Sequence, residues 1–238
     1  MKRNRCAASA FLILAIICAL RGSWQAQAQI VEKSRYPAMV EPIEQYLMPE
    51  RNAEIALART AAPETISRDA TILVLTAHGY ESAVEGKNGW TCMVERGFGG
   101  GPIDNAQWWN PKNRSPVCYN PQAVRLALPL TLKRAELVMA GKTREQIKEW
   151  AKTAYAKKEL PTTVEPGAMA YMISKQAYLS DGGTHNLAHL MVYLPLDKAN
   201  WGEGLDNSPV IPFVSGPPEP FKIFLIAVAN WSDGSPVN

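Results

Sequence analysis

The chain has 238 residues with 25 basic and 22 acidic side chains, a formal net charge of +3 at pH 7. Four of the basic residues lie in the first 28, which hold no acidic residue, so the remainder has 21 basic against 22 acidic residues and a net charge of −1. A chain without a basic excess neutralises phosphates poorly, which disfavours nucleic-acid binding and attachment to an anionic membrane surface.

Residues 1–28 have the pattern of a secretory signal peptide. Three basic residues come first, an apolar run from Ala7 to Leu20 follows, and Ala26 to Ala28 supplies a small-x-small cleavage pattern. The apolar run is too short for a normal transmembrane span. We therefore expect cleavage after Ala28, export to the periplasm or the medium, and no membrane span in the mature chain; an uncleaved anchor is the alternative.

The mature chain, residues 29–238, is long enough to bury a core as one domain, with two small domains as the alternative. Its first part, residues 37–66, is predicted to be mainly helical. Pro37 to Ala62 forms a helix in two pieces, because Pro49 breaks it and suits the first turn of the second piece.

The next predicted elements are two strands, followed by two helical segments. The apolar, β-branched segment TILVLTA (71–77) predicts a buried strand, and a turn at 87–89 precedes a second strand, WTCMVE (90–95). A glycine-rich loop (97–102) leads into an irregular stretch (103–118). Pro129 interrupts the helical segment from Pro121 to Met139. A second helix runs from Thr143 to about Lys157, where Thr143 and Gln146 form a capping box.

Three further strands are predicted at 168–174, 187–194 and 221–229, and the proline-rich segment 208–220 is predicted to be an extended loop before the last one. The fold class is therefore α+β, with a single antiparallel sheet of about five strands. The two most apolar strands, 71–77 and 221–229, are expected in the middle of the sheet. The order β-β-α-β-β-β resembles profilin, PAS and Cache folds, which host sensors, binders and enzymes alike.

Several strings also resemble a group of uncharacterised secreted bacterial proteins. They are ISRDATILVL (66–75), HGYESAVEGKNGWTCMVER (78–96) and HLMVYLP (189–195), together with Ala61-Ala62-Pro63. The resemblance covers about half of the mature chain. It implies a class and a location, and it implies no reaction.

The mature chain keeps two of its four cysteines, Cys92 and Cys118, because Cys6 and Cys18 lie in the signal peptide. An even pair in an oxidising compartment predicts a disulfide. Two buried thiols are the alternative.

The three histidines, His78, His185 and His189, are the candidate metal ligands, with zinc as an example of a divalent ion. Residues four apart share one ion on a helical turn, but on a strand they lie about 13 Å apart. Glu81, Glu95 or Asp181 could add a carboxylate. In the alternative interpretation His189 alternates with Met191 and Tyr193 on one face of a strand, lining a pocket or half-buried.

The candidate binding site is a cleft at the ends of two strands. His78, Tyr80 and Glu81 follow the first strand, and His185 and His189 flank the start of the fourth. If those strands are antiparallel neighbours, the two groups meet, with Trp108 and Trp109 as a wall. In the alternative interpretation, the two tryptophans anchor the core or a loop and do not contact a ligand.

Two main functions are compatible with this pattern. The first is a small-molecule binding or sensing module without chemistry of its own. The second is a metal-dependent, hydrolase-like enzyme in which histidines hold the ion and Glu81 acts as base. An envelope interaction protein is a third.

Overall fold

The computed structural model describes residues 42–100, 103, 105, 107–181, 187–196, 210–213 and 219–237. The predicted signal peptide, residues 1–28, lies outside the described residues. Within them, no helix has the length and apolar character needed to cross a membrane.

Five α-helices lie in the described part of the chain. After a 3₁₀ helix (Ile43–Gln45) come α1 (Arg51–Arg59), α2 (Glu64–Ser67), α3 (Pro121–Leu126), α4 (Leu128–Met139) and α5 (Arg144–Ala156). The prolines and caps predicted from the sequence set several of these boundaries. Pro49 separates the 3₁₀ helix from α1 as predicted, but it lies just before the N-cap Glu50 and not in the first turn of α1. α4 has Pro129 in its first turn, and α5 begins with the capping box of Thr143 and Gln146.

The described strands form one eight-stranded sheet. They are β1 (Thr71–Thr76), β2 (Gly79–Val84), β3 (Thr91–Glu95), β4 (Ser115–Tyr119), β5 (Met169–Met172), β6 (His189–Pro195), β7 (Val210–Phe213) and β8 (Phe221–Ala227). Their order in the sheet is β2-β1-β3-β4-β5-β6-β8-β7. Only β1 and β3 pair in parallel among them. The α+β class is confirmed, and the predicted count of about five strands is wrong.

The three missed strands carry weak local signals. β2 is a polar edge strand that forms a hairpin with β1 around Ala77 and His78. β4 contains Pro116 and lies in the stretch expected to be irregular. Proline has no N–H to donate to a neighbouring strand. This costs no hydrogen bond with β5, because β5 pairs with β4 only from Cys118 onward. β7 lies inside the predicted loop 208–220 and pairs only with β8, which makes it an edge strand that tolerates Pro212.

The expected central position of the two most apolar strands is also wrong. β1 and β8 are each second from an edge, and β4 and β5 occupy the middle of the sheet. Each of the two strands still has a neighbouring strand on both sides, so an apolar strand does not require the central position.

Alternation along the strands divides the core between the two faces of the sheet. On one face, Ile72, Cys92 and Val94 pack with alanines of α1 and the loop after it. On the other, Met93 and Val117 pack with residues of α3, α4 and the C-terminal strands. The second face is the one that carries the cavity described below.

Cys92 and Cys118 face each other directly across β3 and β4 and form a disulfide. Their Cα atoms are 4.0 Å apart, the close spacing of a non-hydrogen-bonded antiparallel pair. The predicted pairing is therefore confirmed, and it is compatible with an exported protein.

β1 and β3 separate before either strand ends. Their parallel ladder covers three residue pairs, the last of which is Leu73 with Met93. Beyond it the N–H of Leu75 and the carbonyl of Val94 have no strand partner across the gap. Buried backbone groups of this kind need other partners.

A buried ion pair and a tyrosine supply them. Glu54 of α1 accepts a hydrogen bond from the N–H of Leu75 (3.2 Å) and another from Arg96 (3.0 Å). Arg96 and the hydroxyl of Tyr80 both donate to the carbonyl of Val94, the tyrosine at 2.9 Å. The side chains of Glu54 and Arg96 are 2% and 0% exposed, so the pair forms without competition from water.

We expect the Glu54→Gln substitution to lower the free energy of unfolding by about 3–5 kcal/mol, because it leaves the buried guanidinium of Arg96 without a counter-charge. Urea unfolding monitored by circular dichroism measures the change. Glu50→Gln, at an exposed position just before the same helix, is the matched control and should change the value by less than about 0.5 kcal/mol. Equal effects of the two changes would contradict a structural role for the pair.

We expect replacement of both Cys92 and Cys118 by alanine to lower the free energy of unfolding by about 2–4 kcal/mol, since the bond closes a segment with a sequence separation of 26. Wild-type protein unfolded in the presence of a reductant should behave like the double variant. A double variant as stable as the oxidised protein would show that the bond does not constrain the unfolded chain.

Candidate functional site

A cavity of about 220 Å³ lies between α4 and the face of the sheet formed by β3, β4, β5, β6 and β8. Strand alternation sends every second side chain into it. Much of the lining is apolar and comes from Leu130, Met172, Met191, Phe221, Ile223 and Leu225. A concave, largely apolar space with a few convergent polar groups is the usual form of a small-molecule site.

Glu95 is the central polar group of the cavity, and it is 4% exposed. It is the last residue of β3. The hydroxyl of Tyr119 on β4 donates a hydrogen bond to its Oε1, and Thr131 of α4 approaches the same oxygen at 3.5 Å. The glycine-rich loop after β3 passes close to the other oxygen, because a Cβ at Gly100 would overlap Oε2.

Burial raises the pKa of Glu95 to about 7, although the hydrogen bond from Tyr119 and the positive charge of Arg134 favour the ionised form. The carboxyl group thus changes its charge near neutral pH. Burial and the nearby Glu95 raise the pKa of Tyr119 and of Tyr193, so both hydroxyls remain protonated and able to donate.

Arg134 and Glu219 form a second charged group in the lining. Arg134 lies one turn after Thr131 on α4, and its guanidinium forms an ion pair with Glu219, which precedes β8. Both side chains are buried, with 3% and 6% exposed. The guanidinium also lies 5.6 Å from the ring centre of Trp108, within the range of a cation–π interaction.

His189 lines the cavity together with Met191 and Tyr193, which is the alternating-strand arrangement considered from the sequence. Its Nδ1 donates to the carbonyl of Leu187, since a carbonyl only accepts. Burial lowers the pKa of the His189 imidazole, and the hydrogen bond to Leu187 opposes that effect. The ring is therefore neutral at pH 7.

The structure places His78, Tyr80 and Glu81 away from the cavity, on the β1–β2 hairpin. His78 is exposed in the two-residue turn, and Glu81 accepts a hydrogen bond from Thr76 (3.1 Å) at the exposed edge. The hydroxyl of Tyr80 caps the carbonyl of Val94 as described above, and burial raises its pKa. None of the three lines the cavity.

Trp108 and Trp109 are core residues, 0% and 1% exposed. They pack with Tyr46 and Phe98 against α4 and α5, and their rings meet edge to face at 6.0 Å between centroids. The carbonyl of Trp109 accepts a hydrogen bond from Tyr46 (3.0 Å). Both tryptophans therefore lie where the alternative interpretation places them, as anchors of the core and not as a wall of the cleft.

The expectation that the strands next to His78 and His189 are neighbours is wrong. Three strands, β3, β4 and β5, lie between β1 and β6, which corresponds to about 19 Å across the sheet at 4.8 Å per strand. His185 lies outside the described residues, and the described ones include no group of three or more His, Cys, Asp or Glu side chains placed to hold a metal ion. The metal site stays a prediction.

The sequence pattern indicates Glu95 only as a possible carboxylate ligand of the predicted metal site. It does not indicate Tyr119, Thr131, Arg134 or Glu219. One signal was present, because the alternation of Met93 and Glu95 on β3 puts a carboxylate on an apolar face. The others converge through the packing of α4 on the sheet, which the local sequence does not encode.

Comparison of the chain with protein-family models, with curated proteins and with solved structures finds no match. The description of the site therefore depends on its geometry and chemistry.

We expect the free energy of unfolding of the wild type to fall, relative to that of Glu95→Gln, by about 3 kcal/mol between pH 4.5 and pH 7. The folded-state pKa of about 7 is above the ordinary value of 4.5, so the stabilising effect of protonation is complete below pH 4.5 and is lost as the pH rises through 7. Urea unfolding at several pH values measures the difference. Glu159→Gln, a change at an exposed site, is the control for the removal of one carboxylate. If the free energies of unfolding of the wild type and of Glu95→Gln change in parallel with pH, the pKa of Glu95 is not raised in the folded protein.

Proposed function

We propose that the protein binds a small, largely apolar molecule in the cavity between α4 and the sheet, with Glu95 as the polar anchor. The observation that carries the proposal is a buried carboxyl group in an apolar cavity of about 220 Å³. Burying a carboxylate costs free energy unless its charge is matched, and a site for a polar ligand group is one reason for a fold to keep such a group.

The placement of the polar groups supports binding in one orientation. Glu95, Tyr119 and Thr131 cluster through the hydrogen bonds to one carboxylate oxygen, while apolar side chains of β5, β6 and β8 form other parts of the wall. A ligand with one polar end and an apolar body would meet both kinds of lining. This arrangement favours the binding or sensing role over a role that needs an open surface.

We further propose that binding takes place outside the cytoplasm. The disulfide between Cys92 and Cys118 persists in oxidising compartments, and residues 1–28 have the composition of a signal peptide.

We expect the Leu225→Trp substitution to weaken binding of 2-naphthol, a neutral fluorescent molecule, at least tenfold, because the larger side chain occupies the cavity. Fluorescence titration measures the dissociation constant. Ile226→Trp is the matched control: Ile226 is the next residue on β8, points to the other face and is 37% exposed, so the same substitution there should leave the affinity unchanged.

A second variant, Met172→Phe, fills the cavity from β5 with a smaller change in volume, and circular dichroism checks that each variant is folded. Unchanged affinity in both folded cavity variants would show that the probe binds elsewhere and would contradict the proposal.

A further inference from the structure

The charged groups that line the cavity are unequally compensated. Arg134 is paired with Glu219, and Arg96 is paired with Glu54 of α1. Glu95 forms no ion pair within the described residues, and both of its hydrogen bonds there end on Oε1. When Glu95 is ionised, it is therefore the one charged group of the described lining without an ion-pair partner.

We propose that the molecule this cavity binds is an apolar amine, whose ammonium group pairs with Glu95 and whose hydrocarbon body lies against β5, β6 and β8. The inference rests on the binding function proposed above and names its ligand class. An ammonium group supplies both things that the described residues do not give Glu95, an ion-pair partner and an N–H donor for Oε2.

A ligand anion fits this cavity less well. The cations in the described lining are Arg134 and Arg96. Each is already paired with a buried carboxylate, Arg134 with Glu219 and Arg96 with Glu54. An anion would have to displace Glu219 or Glu54 and leave a buried carboxylate unpaired, and it would also face the charge of Glu95. Each of these costs free energy in a medium that solvates charge poorly.

A neutral hydroxyl group would satisfy Oε2 without matching its charge. Folding has already removed Glu95 from water, so pairing with an ammonium ion gains the attraction without a further desolvation cost for the carboxylate. The aromatic rings of Tyr119, Tyr193 and Phe221 also border the cavity, and their faces attract cations.

The titratable and charged groups facing Glu95 make the affinity for an amine depend on pH in one direction. They are Tyr119, Tyr193, His189, Arg134 and Glu219, together with Arg96 in the lining beside Glu95. The two tyrosines remain neutral through the neutral range, because their pKa values are raised. Protonation of Glu95 removes the attraction for a cation, and protonation of His189 adds repulsion, so both oppose binding at low pH.

Three probes of one size and shape test the ligand class: 3-phenylpropan-1-amine, 3-phenylpropan-1-ol and 3-phenylpropanoate. Isothermal titration calorimetry at pH 7.5 measures each dissociation constant. We expect the amine to bind at least tenfold more tightly than the alcohol, and the carboxylate to bind most weakly. In Glu95→Gln the preference for the amine over the alcohol should disappear, while Glu159→Gln, changed at an exposed site, should keep it.

The wild type provides an independent test that needs no variant to fold. Its affinity for the amine should rise about 50-fold from pH 5 to pH 7 as the ionised fraction of Glu95 grows, because the pKa is about 7. Affinity for the amine that falls with rising pH would overturn the inference, since it would indicate that protonated Glu95 donates to the ligand.

The outcomes separate the two proposals. If the alcohol binds as tightly as the amine, or the carboxylate binds best, the amine inference fails and the cavity remains a binding site. If none of the three probes binds at millimolar concentration, the binding function fails and the inference fails with it.

Discussion

The ion pair between Glu54 and Arg96 is the interaction on which the rest of the sheet depends. β1 and β3 are the one parallel pair among the described strands, and their ladder ends after Leu73 and Met93. The pair joins the separated strands, because Glu54 binds the free N–H of Leu75 and Arg96 binds the free carbonyl of Val94. Arg96 also donates to the carbonyl of Tyr46 (2.7 Å), which attaches the segment before α1 to the same point. A hydrophobic substitute for Glu54 would fill the space and leave the N–H of Leu75 without its acceptor.

The position of Glu95 follows from the same constraint. Adjacent residues of a strand point to opposite faces, so holding Arg96 on the side of α1 directs Glu95 toward α4. The chain then turns back through Gly97, Gly99 and Gly100, and a Cβ at Gly97 would overlap the carbonyl of Gln107. The close passage of this loop needs residues without side chains, and it brings backbone near the carboxylate. The geometry of the site is thus an extension of the way in which β3 ends.

Sequence patterns predicted the elements whose signal is local, and not their arrangement. The five predicted strands are all rich in apolar residues. The predicted capping box of Thr143 and Gln146 begins α5 where the sequence places it. β4 was missed because Pro116 argues against a central strand, and only the short ladder with β5 makes that proline harmless. The strand order depends on pairings between distant segments. For that reason His78 and His189 were expected to meet, although three strands separate them.

The dependence on distant segments also explains which residues of the site could be predicted from the sequence. His189 was recognised because it alternates with Met191 and Tyr193 within one strand, and the cavity confirms that these three share a face. A buried glutamate differs from an exposed one only through what packs against it, and Tyr119, Thr131 and Glu95 come from three different elements. Three buried carboxylates therefore look alike in the sequence. In the fold, Glu54 and Glu219 have arginine partners, which is the compensation that a structural role requires. The hydrogen-bond partners of Glu95 are a tyrosine and a threonine, which orient a carboxylate without neutralising it. That difference is the reason why we propose Glu95, and not Glu54 or Glu219, as the group that binds a ligand.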